Sequence, residues 1–251
     1  MSGHSKWSTI KHRKGAQDAK RGKIFTKVIK EITIAARQGG GDPSGNSRLR
    51  HALDLARTNN MPSDNVERAI KKGTGELEGV NYEELTYEGV GPAGALLLIS
   101  VVTDNRNRTA AEIRKIFDKH NGQLGQGGSA AWAFEEKGIV RLPVEAATEE
   151  LLFEVAVGAG AEDIANAGDA WVITTPRDDL ESVRSALDKA AVPVEDASLA
   201  FIPKLTKEVA GRDAEVLMGL VETLEDHDDV QKVFADFELS ESALSDLERS
   251  A

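Results

Sequence analysis

Apolar residues recur every three to four positions through the first third of the chain and every two thereafter, so the architecture changes along its length. At about 100° per residue, Phe25, Val28, Ile29, Ile32, Ala35 and Ala36 fill one side of a helix, and Lys20, Lys23, Lys27, Lys30 and Arg37 share one arc on the other. QGGGDPSGN at 38–46 is a loop of turn formers. A second helix follows with Leu49, Ala52, Leu53 and Ala56 as its stripe. It stops near Asn59 and Asn60; Asp64 then caps a short third helix, with Glu67 at its third position and Lys71 and Lys72 before Gly73. Three helices predict a small bundle over 1–78, and GTGELEG at 73–79 ends it.

Beyond the linker the pattern predicts strands and helices in alternation. Residues 95–103 read as a buried strand, 108–120 as an amphipathic helix through Ile113, Ile116 and Phe117, and 129–136 as a strand, together one βαβ unit. Strands at 139–144, 161–166, 170–175 and 198–203, with helices at 148–157 and 178–190, give the ferredoxin-like order βαββαβ. KLTKEV, a helix at 213–225 and DVQKVFADFE then supply a second βαβ half. The expected fold is multidomain α+β: the bundle, a ferredoxin-like α+β domain made of 79–136 with 204–251, and a second such domain, 137–203, inserted in it.

Charge adds a functional clue. The 251 residues carry a net charge of −11, yet residues 1–30 hold nine Lys/Arg against the single acid Asp18. That end is +8 and the remainder −19. Trp7, Ile10, Ile24 and Phe25 interleave with the cations, the pattern of a surface that pairs phosphates and also packs. Like charges at helical spacing repel by a few tenths of a kcal/mol per pair, so the stripe favours a polyanionic partner. The absence of cysteine excludes disulfides, zinc-thiolate sites and thiol catalysis. Neither a secretory signal nor an apolar run long enough to span a bilayer is evident, and a cytoplasmic protein is expected.

Local motifs are less decisive. DNRNRT at 104–109 passes from strand to helix, where amides with Arg106 and Arg108 could hold an anion; the competing reading is capping, with Asn107 or Thr109 at the turn and Thr109 and Glu112 as a capping box. GQLGQGG at 122–128 lacks a phosphate-loop ending and reads as a turn into a strand. His4 and His12 sit among lysines, a setting for RNA rather than metal. EDHDD at 225–229 reads as a solvated helix terminus, without the spaced ligands of a calcium loop. No catalytic constellation, metal site or cofactor motif stands out, and no enzyme activity, metal or cofactor is expected.

Four segments carry a resemblance: GHSKW at 3–7, IKHRKGAQDAKRGKIFTK at 10–27, NNMPSDNVERAIKKGTGE at 59–76 and TDNRNRTAAEIRKIF at 103–117. They closely resemble the YebC family, which includes the mitochondrial translational activator of cytochrome c oxidase subunit 1. No transit peptide precedes GHSKW, so a bacterial member is expected. The resemblance implies a helical bundle with two α+β domains. It also implies a nucleic-acid-binding regulator of gene expression, either a ribosome-bound translation factor relieving stalls such as those at consecutive prolines, or a regulator of promoter DNA. Without a recognition helix of the helix-turn-helix kind, ribosomal RNA is the favoured partner and promoter DNA the alternative. The expected contacts are Lys6, Lys11, His12, Arg13, Lys14, Lys20, Arg21, Lys23 and Lys27 on phosphates, Trp7 as a stacking anchor, and Arg106 and Arg108 as an accessory pair. A monomer is expected.

Overall fold

The computed structural model describes residues 17–243, with side chains from residue 22 onward. Lys6, Trp7, Lys11, His12, Arg13 and Lys14 lie outside the described residues, as do the side chains of Lys20 and Arg21.

The bundle consists of α1 (Gln17–Gly39), α2 (Ser47–Thr58) and α3 (Ser63–Gly73). Its core joins Val28, Ile32 and Ala35 of α1 to Leu49, Ala52 and Ala56 of α2 and Ala69 of α3, the apolar stripe of the wheel. Asn46 couples the first two helices: its side chain accepts from Leu49 N–H at the start of α2 and donates to the carbonyls of Ala35 and Gly40 at the end of α1. Carbonyls that a helix end leaves open are thereby satisfied. Gly73 closes α3 against α1, where a Cβ would stand 2.5 Å from Thr33 O and 2.7 Å from the Ala36 Cβ. The expected Asp64 cap is not formed; Pro62 occupies the cap position and makes no side-chain cap bond, and Asp64 lies in the first turn.

The middle domain begins with a strand that the sequence pattern did not reveal. β1 (Glu83–Val90) pairs antiparallel with β2 (Leu96–Thr103) and with the short β3 (Gln123–Leu124), while β2 pairs antiparallel with β9 (Val230–Ala235). The sheet order is β3-β1-β2-β9, so a β-hairpin opens this domain rather than the expected βαβ unit. Acids at Glu83, Glu84 and Glu88 hide the alternation of β1, whose outer positions are exposed. The helices α4 (Arg106–Lys119) and α7 (Gly211–Glu225) cover one face, packing Ile113, Phe117, Leu217, Leu220 and Leu224 on Leu97, Ile99 and Val101. Leu98 points to the opposite face, into a cluster with Ala130, Ala133 and Phe134. Burial on both faces explains why β2 is a continuous apolar run. The last predicted strand divides at Asp236, which accepts from Leu96 N–H; β10 (Phe237–Leu239) then pairs parallel with β8 (Lys207–Val209).

In the inserted domain β4 (Phe134–Pro143), α5 (Glu149–Leu152, continued by a π-turn through Val157), β5 (Asp163–Asn166), β6 (Ala170–Pro176), α6 (Leu180–Lys189) and β7 (Asp196–Pro203) follow the βαββαβ order, and the sheet runs β5-β6-β4-β7. This is the ferredoxin-like arrangement expected. Its first strand is longer than the pattern suggested. The two predicted strands at 129–136 and 139–144 are one element from Phe134, preceded by a 3-10 turn over Ala131–Ala133. Phe134 already pairs with Pro203, which moves the domain junction from between 136 and 137 to residue 134. Gly138, between the two predicted strands, admits the side chains of Thr175 and Leu180, which a Cβ would overlap.

Candidate nucleic-acid interface

The cationic stripe of α1 is not an open face over its described length. It lies along the acidic turn that joins α7 to β9. Lys23 Nζ meets the Asp226 carboxylate at 2.5 Å, Lys27 Nζ donates to Glu225 O at 2.5 Å, and Lys30 Nζ donates to Asp229 Oδ1 at 2.5 Å and to Asp228 O at 2.9 Å. Arg37, at the far end of the stripe, donates to the Asn81 side chain and Tyr82 O. The EDHDD segment is therefore a docked counter-surface rather than a solvated helix end. Lys23 and Lys27 are correspondingly withdrawn from the set of free phosphate contacts.

Depth varies along this contact. Lys23 is 41% exposed and Asp226 59%, whereas the side chains of Lys30 and Asp229 are 7% and 5% exposed. Exposed pairs contribute about 0–1 kcal/mol; a buried pair fixes how its two domains sit, because either charge alone would be strongly disfavoured. Lys30 Nζ also lies 5.8 Å from the centre of the Tyr82 ring.

Asp229 gathers further partners from DNRNRT. Its Oδ2 accepts from Thr109 Oγ1 at 2.7 Å and from Arg108 Nη2 at 2.8 Å, while Arg108 also pairs with Asp104 at 2.8 Å. Burial pushes the Asp229 carboxyl up, but hydrogen bonds from Lys30, Thr109 and Arg108 outweigh it and hold the group well below the ordinary carboxylate range. The same contacts with Asp229 and Asp104 raise the Arg108 guanidinium. The motif thus does hold an anion at a helix start, and that anion is the protein's own Asp229. Arg108 serves this internal cluster, a correction to its expected accessory role; Arg106 is exposed at the first position of α4. The expected capping box is replaced as well. Asn105 caps α4 by accepting from Arg108 N–H, and Thr109 is buried on Asp229.

Glu112, His227 and Asp229 bring three ligand atoms within 4.8 Å of one another. These atoms have other partners. His227 Nδ1 accepts from Asp229 N–H, so Nε2 carries the proton and donates to Glu112 Oε2 at 2.9 Å, and both Asp229 oxygens receive cationic donors. A metal cation there would face Lys30 and Arg108.

The three domains enclose a cleft of about 870 Å³. Its two arginines are neutralised locally, Arg48 by Glu31 and Glu84 and Arg177 by Glu136, while Lys232 donates to Ser198 Oγ and Leu199 O. The hydrogen bonds from Arg48 lower the Glu84 carboxyl. Two further pairs, Arg50 with Glu181 and Arg184 with Asp54, tie the bundle to the inserted domain. The bundle is thus fastened to both α+β domains. In α3 Arg68 and Lys71 face outward, on the helix that follows α2 after Asn59–Pro62.

These features define a class: a three-domain α+β protein in which a basic helical bundle is clamped by an acidic body. Family models place it further. The TACO1/YebC protein N-terminal domain matches residues 5–76, and the TACO1/YebC second and third domain matches residues 82–237. The chain belongs to the TACO1/YebC family. It is 54% identical over 246 residues to a probable transcriptional regulatory protein of Desulfatibacillum aliphaticivorans, covering 98% of this chain and all of that one. Proteins with the same description from Chlorobium luteolum and Geobacter sulfurreducens are 53% and 52% identical, covering 99% and 98% of this chain and the whole of both relatives. The crystal structure of a conserved hypothetical protein, Aq1575 from Aquifex aeolicus, superimposes with a TM-score of 0.83 at 44% identity, over 89% of this chain and 93% of that one. Among the described residues no helix is long and apolar enough to cross a membrane.

Proposed function

We propose that the protein is a nucleic-acid-binding regulator of gene expression that works on the ribosome, docking its basic N-terminal segment on ribosomal RNA and relieving stalls such as those at consecutive prolines. One observation carries this reading: residues 1–30 are +8 while the rest of the chain is −19. A separated charge of this kind suits a phosphate-lined groove bordered by basic protein, and the acidic body would be repelled by an extended duplex. Lys6, Lys11, His12, Arg13, Lys14, Lys20 and Arg21 are the proposed phosphate contacts, with Trp7 as the stacking anchor. Lys23, Lys27 and Lys30 instead orient α1 on the body. Docking would act through placement, biasing the ribosome toward a productive geometry without supplying a reacting group.

The second reading is a promoter-binding transcriptional regulator, favoured by the descriptions of the relatives. A reconstituted translation system separates the two. Purified protein is expected to shorten pauses at consecutive prolines, whose fixed φ and missing N–H make them poor reactants, and a full-length chain with Lys11, Arg13, Lys14 and Lys20 changed to Gln is expected not to. Unaltered pauses with the intact protein, together with a protected promoter sequence at physiological salt, would move the transcription reading to first place.

A further inference from the structure

Trp132 is 66% exposed, while Trp171 is 7% exposed and packs in the core of the inserted domain. A large indole left in solvent forgoes burial that its neighbours obtain: Ala130, Ala133 and Phe134, on either side of it, are all buried in the cluster beneath β2. Its exposure is also not that of a slack loop. The buried carboxylate of Glu88, on β1, accepts from Gly128 N–H at 2.7 Å, Ala130 N–H at 2.5 Å and Ala131 N–H at 2.8 Å. Burial opposes the charge on Glu88, and these three amides overcome it and hold the carboxyl below its ordinary value. The ring is oriented by its own N–H, which donates to Ser129 O at 3.0 Å.

The crossover that returns from the inserted domain runs beside this turn. Lys204 N–H donates to Ala133 O at 2.9 Å, and Lys204 Nζ donates to Trp132 O at 2.8 Å. Leu205 follows at 84% exposure, and Lys207 Nζ rests on the carbonyls of Ala93 and Gly94. Among the described residues neither ammonium forms an ion pair: the nearby acid Glu135 is paired with Lys137 at 3.2 Å, and Asp236, which feels the charge of Lys207, accepts from Leu96 N–H. On the other side, added Cβ atoms at Gly127 and Gly128 would meet nothing within 4 Å, leaving the backbone open to close approach. A rigid aromatic residue whose carbonyl holds the Lys204 ammonium, following a bare glycine backbone, fits a flat, polyanion-borne ligand.

We propose that Trp132, with Leu205, Lys204 and Lys207, is a second RNA contact, a platform on which an unpaired base stacks while the lysines hold its phosphates. This rests on the RNA reading of the function and adds to it a site on the junction of the two α+β domains, apart from α1. The glycine-rich loop 122–128 then has a role beyond that of a turn, since it carries the platform.

The test uses the full chain with Trp7→Phe, so that emission comes from Trp132 and the buried Trp171, and a single-stranded oligoadenylate as the probe. Saturating probe is expected to quench the emission. Trp132→Ala is expected to weaken binding roughly tenfold, within the range for loss of one stacked base, Trp132→Phe to restore most of it, and neither to change the salt slope, because stacking releases no counterions. Lys204→Gln with Lys207→Gln is expected to lower that slope. Unchanged thermal midpoints in all variants would exclude misfolding as the cause. Wild-type affinity in Trp132→Ala, or undisturbed emission at saturation, would overturn the platform while leaving the N-terminal contact standing. Quenching by ribosomal proteins and not by oligoadenylate would also overturn it, in favour of a protein-binding face. Absence of any binding to oligoadenylate or ribosomal RNA would instead remove the RNA reading itself.

Discussion

Lys30 and Asp229 are 199 positions apart in sequence, and their charged atoms meet at 2.5 Å in a buried contact between the helical bundle and the middle domain. Breaking one partner strands the other. Asp229→Asn is expected to destabilise the protein by about 3–5 kcal/mol, measured by urea unfolding, because Lys30 and Arg108 both lose their carboxylate. A loss below about 1 kcal/mol, the range of an exposed pair, would show that the contact does not fix the domains.

The same pair sets a pH dependence. The folded-state value of Asp229 is depressed, so its contribution is fully present above the unfolded carboxyl value of about 3.9 and is lost as pH falls through the folded value. The stability gap between wild type and Asp229→Asn should therefore be constant from neutral pH down to about 5 and narrow below about 4. Denaturant titrations at stepped pH measure it. A gap that widened on acidification would contradict the depressed value.

Asp226 covers Lys23 at the exposed end of the contact. Asp226→Asn should cost less than about 1 kcal/mol and return one cation to the open stripe. Affinity for single-stranded RNA should then rise, with the salt slope steeper by about 0.7 if Lys23 takes up one phosphate. Filter binding across a salt series decides this; an unchanged slope would mean that Lys23 is out of reach of RNA even when released.

Packing and binding should separate cleanly inside the bundle. Ile32, fully buried on the apolar face of α1, should cost about 2–5 kcal/mol as Ile32→Ala. Gly73→Ala should cost about 1–3 kcal/mol by overpacking, since its Cβ would press on Thr33 O and Ala36. Both changes should leave the salt slope of RNA binding untouched below the melting transition. A shifted slope would tie the core to the interface.

The bundle and the ferredoxin-like domain were legible in the sequence because their signals are local: a stripe through Val28, Ile32 and Ala35, and short strands bounded by turn formers. β1 was not, since Glu83, Glu84 and Glu88 break its alternation, and Glu88 is buried only because distant backbone amides satisfy it. The single strand that spans the two predicted at 129–136 and 139–144 has a similarly non-local cause: Gly138 permits a close approach of Thr175 and Leu180 within it. For the candidate site, the wheel correctly separated cations from core on α1, but periodicity cannot say what a charged face meets. The acidic run at 225–229 was visible, and its match to Lys23, Lys27 and Lys30 exists only across some two hundred residues. A basic helix stripe and an isolated acidic run of opposite charge are the signal that could have suggested it. Trp132 gave no local sign of exposure; a strand reading placed it in a regular element, whereas the Glu88 turn lifts it out.

The salt dependence of binding to purified ribosomes decides whether the basic N-terminal segment holds ribosomal RNA through its phosphates. Full-length protein and a variant with Lys11→Gln, Arg13→Gln, Lys14→Gln and Lys20→Gln are to be compared by co-sedimentation. The intact protein should be released steeply as salt rises, and the variant should show a slope shallower by up to about 0.7 per cation removed, with thermal stability within about 1 kcal/mol of wild type. Ribosome binding that ignores salt, or equal slopes for the two proteins, would contradict it.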